Sequence, residues 1–219
     1  MEIIKQVVLP RRALRNPQPS MNPGGDCGAC ALAGVLGVSV PVAYSYHCSG
    51  NYHSGEPISR VSPFSIYSMQ KTLESLVNDW DTHMDRVGLL EHVVVDIPIW
   101  PYDSSLLLNA SFGMRGNLMY CWRANARAML HGGYYGIGQV QHGGFSETPN
   151  LNTYGTSNHW ILIVGHRIVH ESREHSRSLH EELLISDSSL AMPAEQWINC
   201  NDFQSRWGGF ATLWAKPAK

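Results

Sequence analysis

This 219-residue chain has little charge to spare: Lys and Arg number 16, Asp and Glu 18, and the formal net charge is −2. A surface without a dominant sign offers no footprint for nucleic acid or for an anionic membrane. No apolar run approaches the roughly 18–20 residues of a membrane span. The opening run, Met1-Glu-Ile-Ile-Lys-Gln-Val-Val-Leu-Pro10, is too short and too interrupted to read as a signal peptide. A disulfide framework is missing as well, because the five cysteines (Cys27, Cys30, Cys48, Cys121 and Cys200) are odd in number and scattered. Reduced thiols and a cytoplasmic location are the expectation, and export by a signal-independent route is equally compatible. There is no internal repeat and no low-complexity linker. With 43% hydrophobic residues, the chain has ample material for the core of a single domain spanning 1–219.

What is present changes period along the chain. Residues 1–9 predict a short strand, and 16–25, rich in Pro, Asn and Gly, a loop. A helix runs from Cys27 to about Gly37, and 38–63 reads as an irregular surface segment. Residues 65–80 predict an amphipathic helix with Ile66, Met69, Leu73, Leu76 and Val77 inward. Val93-Val94-Val95 suits a short strand or a buried turn. Residues 117–131 predict another helix, with Leu118, Cys121, Trp122, Ala126 and Met129 on one stripe. From Gly132 the pattern turns to strands: 134–140, Trp160 to Gly165, Leu183 to Ser186, and 208–214. Between them lie a polar loop at 141–158, a charged connection at 170–182, and a short helix suggested by Trp197 and Phe203. Helices first and strands second make an α+β fold, a helical part (about 26–131) packed on a mostly antiparallel sheet (about 132–219).

The chemistry concentrates in Asn22-Pro-Gly-Gly-Asp-Cys-Gly-Ala-Cys-Ala-Leu-Ala-Gly-Val-Leu-Gly37. Asp26 suits a helix N-cap, which makes Cys27 the first helical residue. The N–H groups and dipole of a helix start favour thiolate over thiol. Cys27, Cys30, Ala31, Gly34 and Val35 share one narrow face on which another element can pack closely. The charge of Asp26 opposes thiolate formation, so activation needs a base from elsewhere in the chain.

Among eleven histidines, His159 stands out at the loop-to-strand junction Asn158-His159-Trp160, where a sheet fixes its backbone. His166 lies at the far end of the same strand, and the others fall mostly in polar stretches. A base of this kind needs an orienting acceptor. Asp187, closing the strand Leu183-Leu-Ile-Ser186, is placed to supply one from a neighbouring strand.

With those residues named, the chain resembles the papain-like cysteine peptidase superfamily, nearest to the C39-like peptidases that process bacteriocin leaders with Cys, His and Asp in that order. The resemblance rests on Asp26-Cys27-Gly28-Ala-Cys-Ala-Leu32, on Leu130-His-Gly-Gly133 before a strand, on His159-Trp-Ile-Leu-Ile-Val-Gly165, and on Asp187. It implies a papain-like fold with Cys27 as nucleophile, His159 as general base and Asp187 as its orienter. It also implies thioester chemistry on a peptide, protein or small amide, with no cofactor and no metal. One position departs from the family pattern. The glutamine that usually stands six residues before the cysteine, and helps form the oxyanion hole, is Met21 here. Asn22 is the preferred replacement and Gln18 the other. Loss of such a donor raises the barrier by about 3–4 kcal/mol without abolishing catalysis.

Three other readings compete. The first is a papain-like module that kept the scaffold, lost the activity and acts by binding. Cys27 and Cys30 also spell Cys-x-x-Cys, the signature of a disulfide oxidoreductase, but a Pro/Gly loop rather than a strand precedes them. Zinc would need a second ligand pair, and the remaining cysteines are singletons. Trp160 and Trp207 could wall the site or belong to the core.

Overall fold

The most apolar stretch of the chain, Trp160-Ile-Leu-Ile-Val164, is buried along its whole length, and the rest of the fold is arranged on its two sides. The computed structural model describes residues 2–18, 26–52, 64, 66–77, 88–96, 123–140, 159–173, 176–190, 192–207 and 212–219. Strands β1 (Glu2–Val8), β2 (Leu90–Asp96), β3 (Tyr135–Val140), β4 (His159–Arg173), β5 (Ser176–Asp187), β6 (Glu195–Asn199) and β7 (Thr212–Pro217) form one seven-stranded sheet. Its order is β2-β7-β3-β4-β5-β6, and β1 continues the β3 side along the far half of β4. Every pairing among the described residues is antiparallel.

Helices α1 (Cys27–Leu36), α2 (Val40–Tyr52) and α3 (Ile66–Val77) pack on one face over Trp160, Leu162, Val164 and Leu213. A helix at 123–131, α4, and α5 (Cys200–Trp207) cover the other, where Ala126, Leu130 and Phe203 meet Ile161, Ile163, Leu183 and Ile185. Alternation along β4 feeds both cores, as expected of a strand covered on both sides. Among the described residues no single helix is long and apolar enough to cross a membrane.

The α+β expectation holds, and several local readings need correction. Residues 40–52 form α2 rather than irregular chain. Its inward residues are Val40, Ala43 and His47, and a histidine and an alanine on the buried face leave little hydrophobic periodicity to detect. The charged run 170–182 is not a connection but the outer arm of the β4–β5 hairpin, paired from Gly165↔Leu184 to Arg173↔Ser176. Its last acids pair with β4 residues that precede the run: Glu182 with Arg167 at 2.5 Å, and Glu181 with His166 at 2.8 Å. Trp197 belongs to β6, under the Arg167 guanidinium, and only Phe203 is helical. The sheet also draws on the first half of the chain, since β1 and β2 are part of it. Of the 117–131 stripe, Ala126 is buried and Met129 partly so, while Leu118, Cys121 and Trp122 lie outside the described residues.

The smooth face of α1 is used as its composition suggests. The segment after β1 crosses it so closely that a Cβ at Gly34 would sit 2.3 Å from the Arg12 carbonyl oxygen and 2.9 Å from Ala13 Cα. Leu14 N–H donates to the Cys30 carbonyl at 3.2 Å in the same crossing. Gly34→Ala is therefore expected to destabilise the protein by about 1–3 kcal/mol, against the gain of ~1 kcal/mol alanine brings to an open helical site. A urea midpoint equal to or above that of the parent protein would refute the close crossing.

Candidate active site

Small residues and a left-handed glycine define α1. Gly37 ends it at φ 70°, with its N–H on the Ala33 carbonyl, and Cys27 begins it, half-buried. Asp26 does not cap this start with its side chain, contrary to the sequence expectation. Its carboxylate, buried from solvent, instead accepts the Tyr44 hydroxyl at 2.6 Å and so ties the turn before Cys27 to α2. Phe64 rests against Gly28, where a Cβ would approach its ring to 2.6 Å, and stacks on His47 at 3.7 Å between centroids. Burial pushes His47 down to about 4, so it is a neutral packing ring that shares a hydrogen bond with the Thr72 hydroxyl at 2.8 Å. Trp160 joins this group, donating its indole N–H to the Phe64 carbonyl at 3.0 Å. It is a core residue, in the cluster against which Cys27 packs. The Trp207 side chain lies outside the described residues.

His159 opens β4 and Asp187 closes β5. The register pairs Ile161 with Asp187, so His159 and Asp187 stand diagonally on one face, within reach of each other's side chains. Nε2 of His159 and Oδ1 of Asp187 are 2.9 Å apart, and both residues are buried. The same Oδ1 accepts Ser189 N–H at 2.7 Å. The backbone of Asp187 is held too: its N–H donates to the Ala194 carbonyl at 2.9 Å, and its carbonyl accepts from Arg15 at 3.2 Å.

With Nε2 given to Asp187, Nδ1 remains for Cys27, whose side chain also hydrogen-bonds the ring. Burial is the largest influence on this imidazole and opposes its charge. The hydrogen bonds and charges of Asp187 and Cys27 together outweigh it and raise the pKa from 6.5 to about 9. Burial, with the Asp26 and Cys27 charges adding to it, pushes Cys30 up to about 12, and burial does the same to Cys200.

The structure thus brings Cys27, His159 and Asp187 together. It places His166 elsewhere, buried and paired with Glu181. Asn22 and Met21 lie outside the described residues, and Gln18 is exposed. Among the described residues, no three His, Cys, Asp or Glu side chains gather as a metal-binding group. Sequence reasoning missed Arg15, Tyr44 and Phe64, which support the site without joining it. The isolated Phe64 and the Arg-rich run 11–15 were the only signals, and neither has a diagnostic spacing. Comparison with protein-family models, with curated proteins and with solved structures found no match.

The raised His159 pKa has a stability consequence with a definite sign. Stabilisation from the charged ring is fully present below pH 6.5 and is lost as pH rises through about 9. In Asp187→Asn the main opposing influences vanish while burial remains, so His159 should titrate well below its parent value. Histidine NMR titration, together with urea unfolding at pH 6 and pH 9, tests this. Equal His159 titration in the two proteins would show that Asp187 does not hold the charge.

Proposed function

We propose that the protein is a cysteine-dependent acyl-transfer enzyme, a peptidase, amidase or transamidase, with a papain-like Cys27-His159-Asp187 triad. The observation that carries the reading is a buried imidazole held between the Cys27 thiol and the Asp187 carboxylate, with 2.9 Å separating Nε2 and Oδ1. That arrangement supplies a nucleophile, a base for its proton and an acceptor that fixes the base's tautomer. Support also comes from the placement of Cys27 on the first turn of α1, where unpaired backbone N–H groups favour negative charge.

Asp187 accepts a hydrogen bond from Nε2–H and orients the ring, and Nδ1 takes the proton of Cys27. The thiolate attacks the carbonyl carbon of an amide in a peptide, protein or small molecule. Charge that develops on the carbonyl oxygen is met by the Cys27 N–H, and in this reading by the Asn22 side chain. His159 then protonates the departing amine from Nδ1, leaving a thioester on Cys27. Water or an acceptor amine, deprotonated by the same ring, resolves the thioester and restores the thiol. No step calls for a cofactor.

At pH 7, iodoacetamide should modify Cys27 at least ~10-fold faster than Cys30 or Cys200, and His159→Ala should remove that advantage. If Cys27 reacts no faster than Cys48 or Cys200, the enzyme reading fails. On a panel of peptides and small amides, turnover should disappear in Cys27→Ala and fall by about 10²–10⁴-fold in Asp187→Asn, where the ring loses its orienting carboxylate. A binding module that only keeps the scaffold would show neither dependence.

A further inference from the structure

Cys30 is a buried thiol for which the acyl-transfer chemistry has no use, and its position relative to Cys27 suggests one. The two occupy consecutive turns of α1, three residues apart. Helix geometry puts their Cα atoms about 5 Å from each other, inside the range of roughly 4.4–6.8 Å that disulfides span. The Cβ atoms of a regular turn are ~5–6 Å apart, against ~3.5–4.5 Å across a disulfide, so closure requires a modest shift of one partner.

The structure determines which partner moves. Cys30 has no exposed surface, its N–H is bonded to the Asp26 carbonyl at 2.8 Å, and its carbonyl accepts from Leu14 at 3.2 Å. Cys27 is half-buried and is the first residue of the helix, one turn nearer its end than Cys30. A reactive, movable sulfur therefore stands over a fixed and protected one.

We propose that Cys30 is the resolving thiol of Cys27: a hydroperoxide oxidises Cys27 to a sulfenic acid, and Cys30 then closes a Cys27–Cys30 disulfide that switches the site off reversibly. The inference rests on the reading of Cys27 as the ionised nucleophile. In the first step the Cys27 sulfur attacks a peroxide oxygen. The O–O bond breaks, sulfur keeps the hydroxyl group, and the departing alkoxide or hydroxide takes up a proton. In the second step the Cys30 sulfur attacks the Cys27 sulfur and the S–O bond breaks. Hydroxide leaves and becomes water with the proton of Cys30. Two thiols are oxidised, one peroxide is reduced, and a dithiol reductant reverses the change by exchange.

Conditional reactivity follows from the local charges. After burial, the charges of Asp26 and Cys27 keep the Cys30 proton in place. Conversion of Cys27 to a neutral sulfenic acid removes one of those charges, so Cys30 ionises more readily once its partner has been oxidised. The disulfide pulls Cys27 away from His159, and its departure from relaxed geometry keeps it easily reduced.

The test uses the full chain, reduced and then treated with a few equivalents of hydrogen peroxide. Intact mass, peptide mapping and the iodoacetamide reactivity of Cys27 are followed before and after dithiothreitol. The parent protein should lose two hydrogens in mass, carry a Cys27–Cys30 link, and regain its starting alkylation rate on reduction. Cys30→Ala should instead gain two oxygens at Cys27 and recover less than about a tenth of that rate. Cys30→Ser serves as a second variant, and alkylation before oxidation reports that each variant retains its site. Equal over-oxidation of Cys27 in parent and variants, or a link from Cys27 to another cysteine, overturns the proposal. Slow alkylation of Cys27 in the reduced parent overturns the nucleophile reading and this inference with it. Fast alkylation without a disulfide overturns the resolving role alone.

Discussion

A ring removed from water keeps a proton only where fixed negative charge makes good the lost hydration, and the centre of this molecule is built around one such ring. Burial by itself would leave His159 neutral, and Asp187 and Cys27 reverse that outcome. The reversal depends on strand register, because a slip of one residue turns a side chain to the opposite face. Along the outer arm of the hairpin Gly165 pairs with Leu184, whereas toward the site Ile163 pairs with Ile185. One extra residue on β4 lies between these two registers. Without that bulge Asp187 would fall opposite Leu162 and face away from His159. Gly165 makes the bulge possible, since a Cβ there would meet the Val7 carbonyl oxygen at 2.9 Å and Leu184 Cβ at 3.0 Å.

The third member of the group comes from a different layer, and residues 13–16 fix its distance from the other two. Ala13 N–H donates to the Ser186 hydroxyl at 3.0 Å, Arg15 donates to the Asp187 carbonyl, and Asn16 N–H donates to the Ser188 carbonyl at 2.9 Å. The same few residues cross α1 at Gly34 and Cys30. One short strap therefore binds both the helix that carries the thiol and the strand end that carries the carboxylate. Ser186 and Gly34 belong to the site in this indirect sense, and neither has chemistry that would single it out in the sequence.

Legibility follows the same division. Cys27, His159 and Asp187 could be read because each stands at the end of a strongly patterned element, where a turn signal gives way to an apolar run. The central strand and the amphipathic helix at 66–77 are readable by period alone, whereas the last strand, expected at 208–214, coincides with β7 only over 212–214, and 208–211 lie outside the described residues. Helix α2 is not readable by period, since its buried face includes His47, a residue that counts as polar until stacking on Phe64 and a bond to Thr72 make it a core residue. The 170–182 run was misread for a related reason. Alternating His, Arg and Glu look solvated in one dimension, and only the antiparallel register shows that Glu182 faces Arg167 and that Glu181 lies diagonal to His166, within reach of its ring. The role of Asp26 depended on Tyr44, eighteen residues away, and no local pattern links the two.

The two cysteines of α1 show how far environment outweighs residue type. They share a helix and a neighbour in Asp26. Cys27 reaches the imidazole because the helix begins there, and Cys30, one turn deeper, meets only the apolar core and the backbone of the strap. A thiolate in the second position would have neither hydration nor a cation, so burial holds that proton firmly. Extending the helix start by one turn would bury Cys27 in the same way. The point at which α1 begins, with the Asp26 turn and its bond to Tyr44, therefore separates a sulfur beside the imidazole from one enclosed in the core.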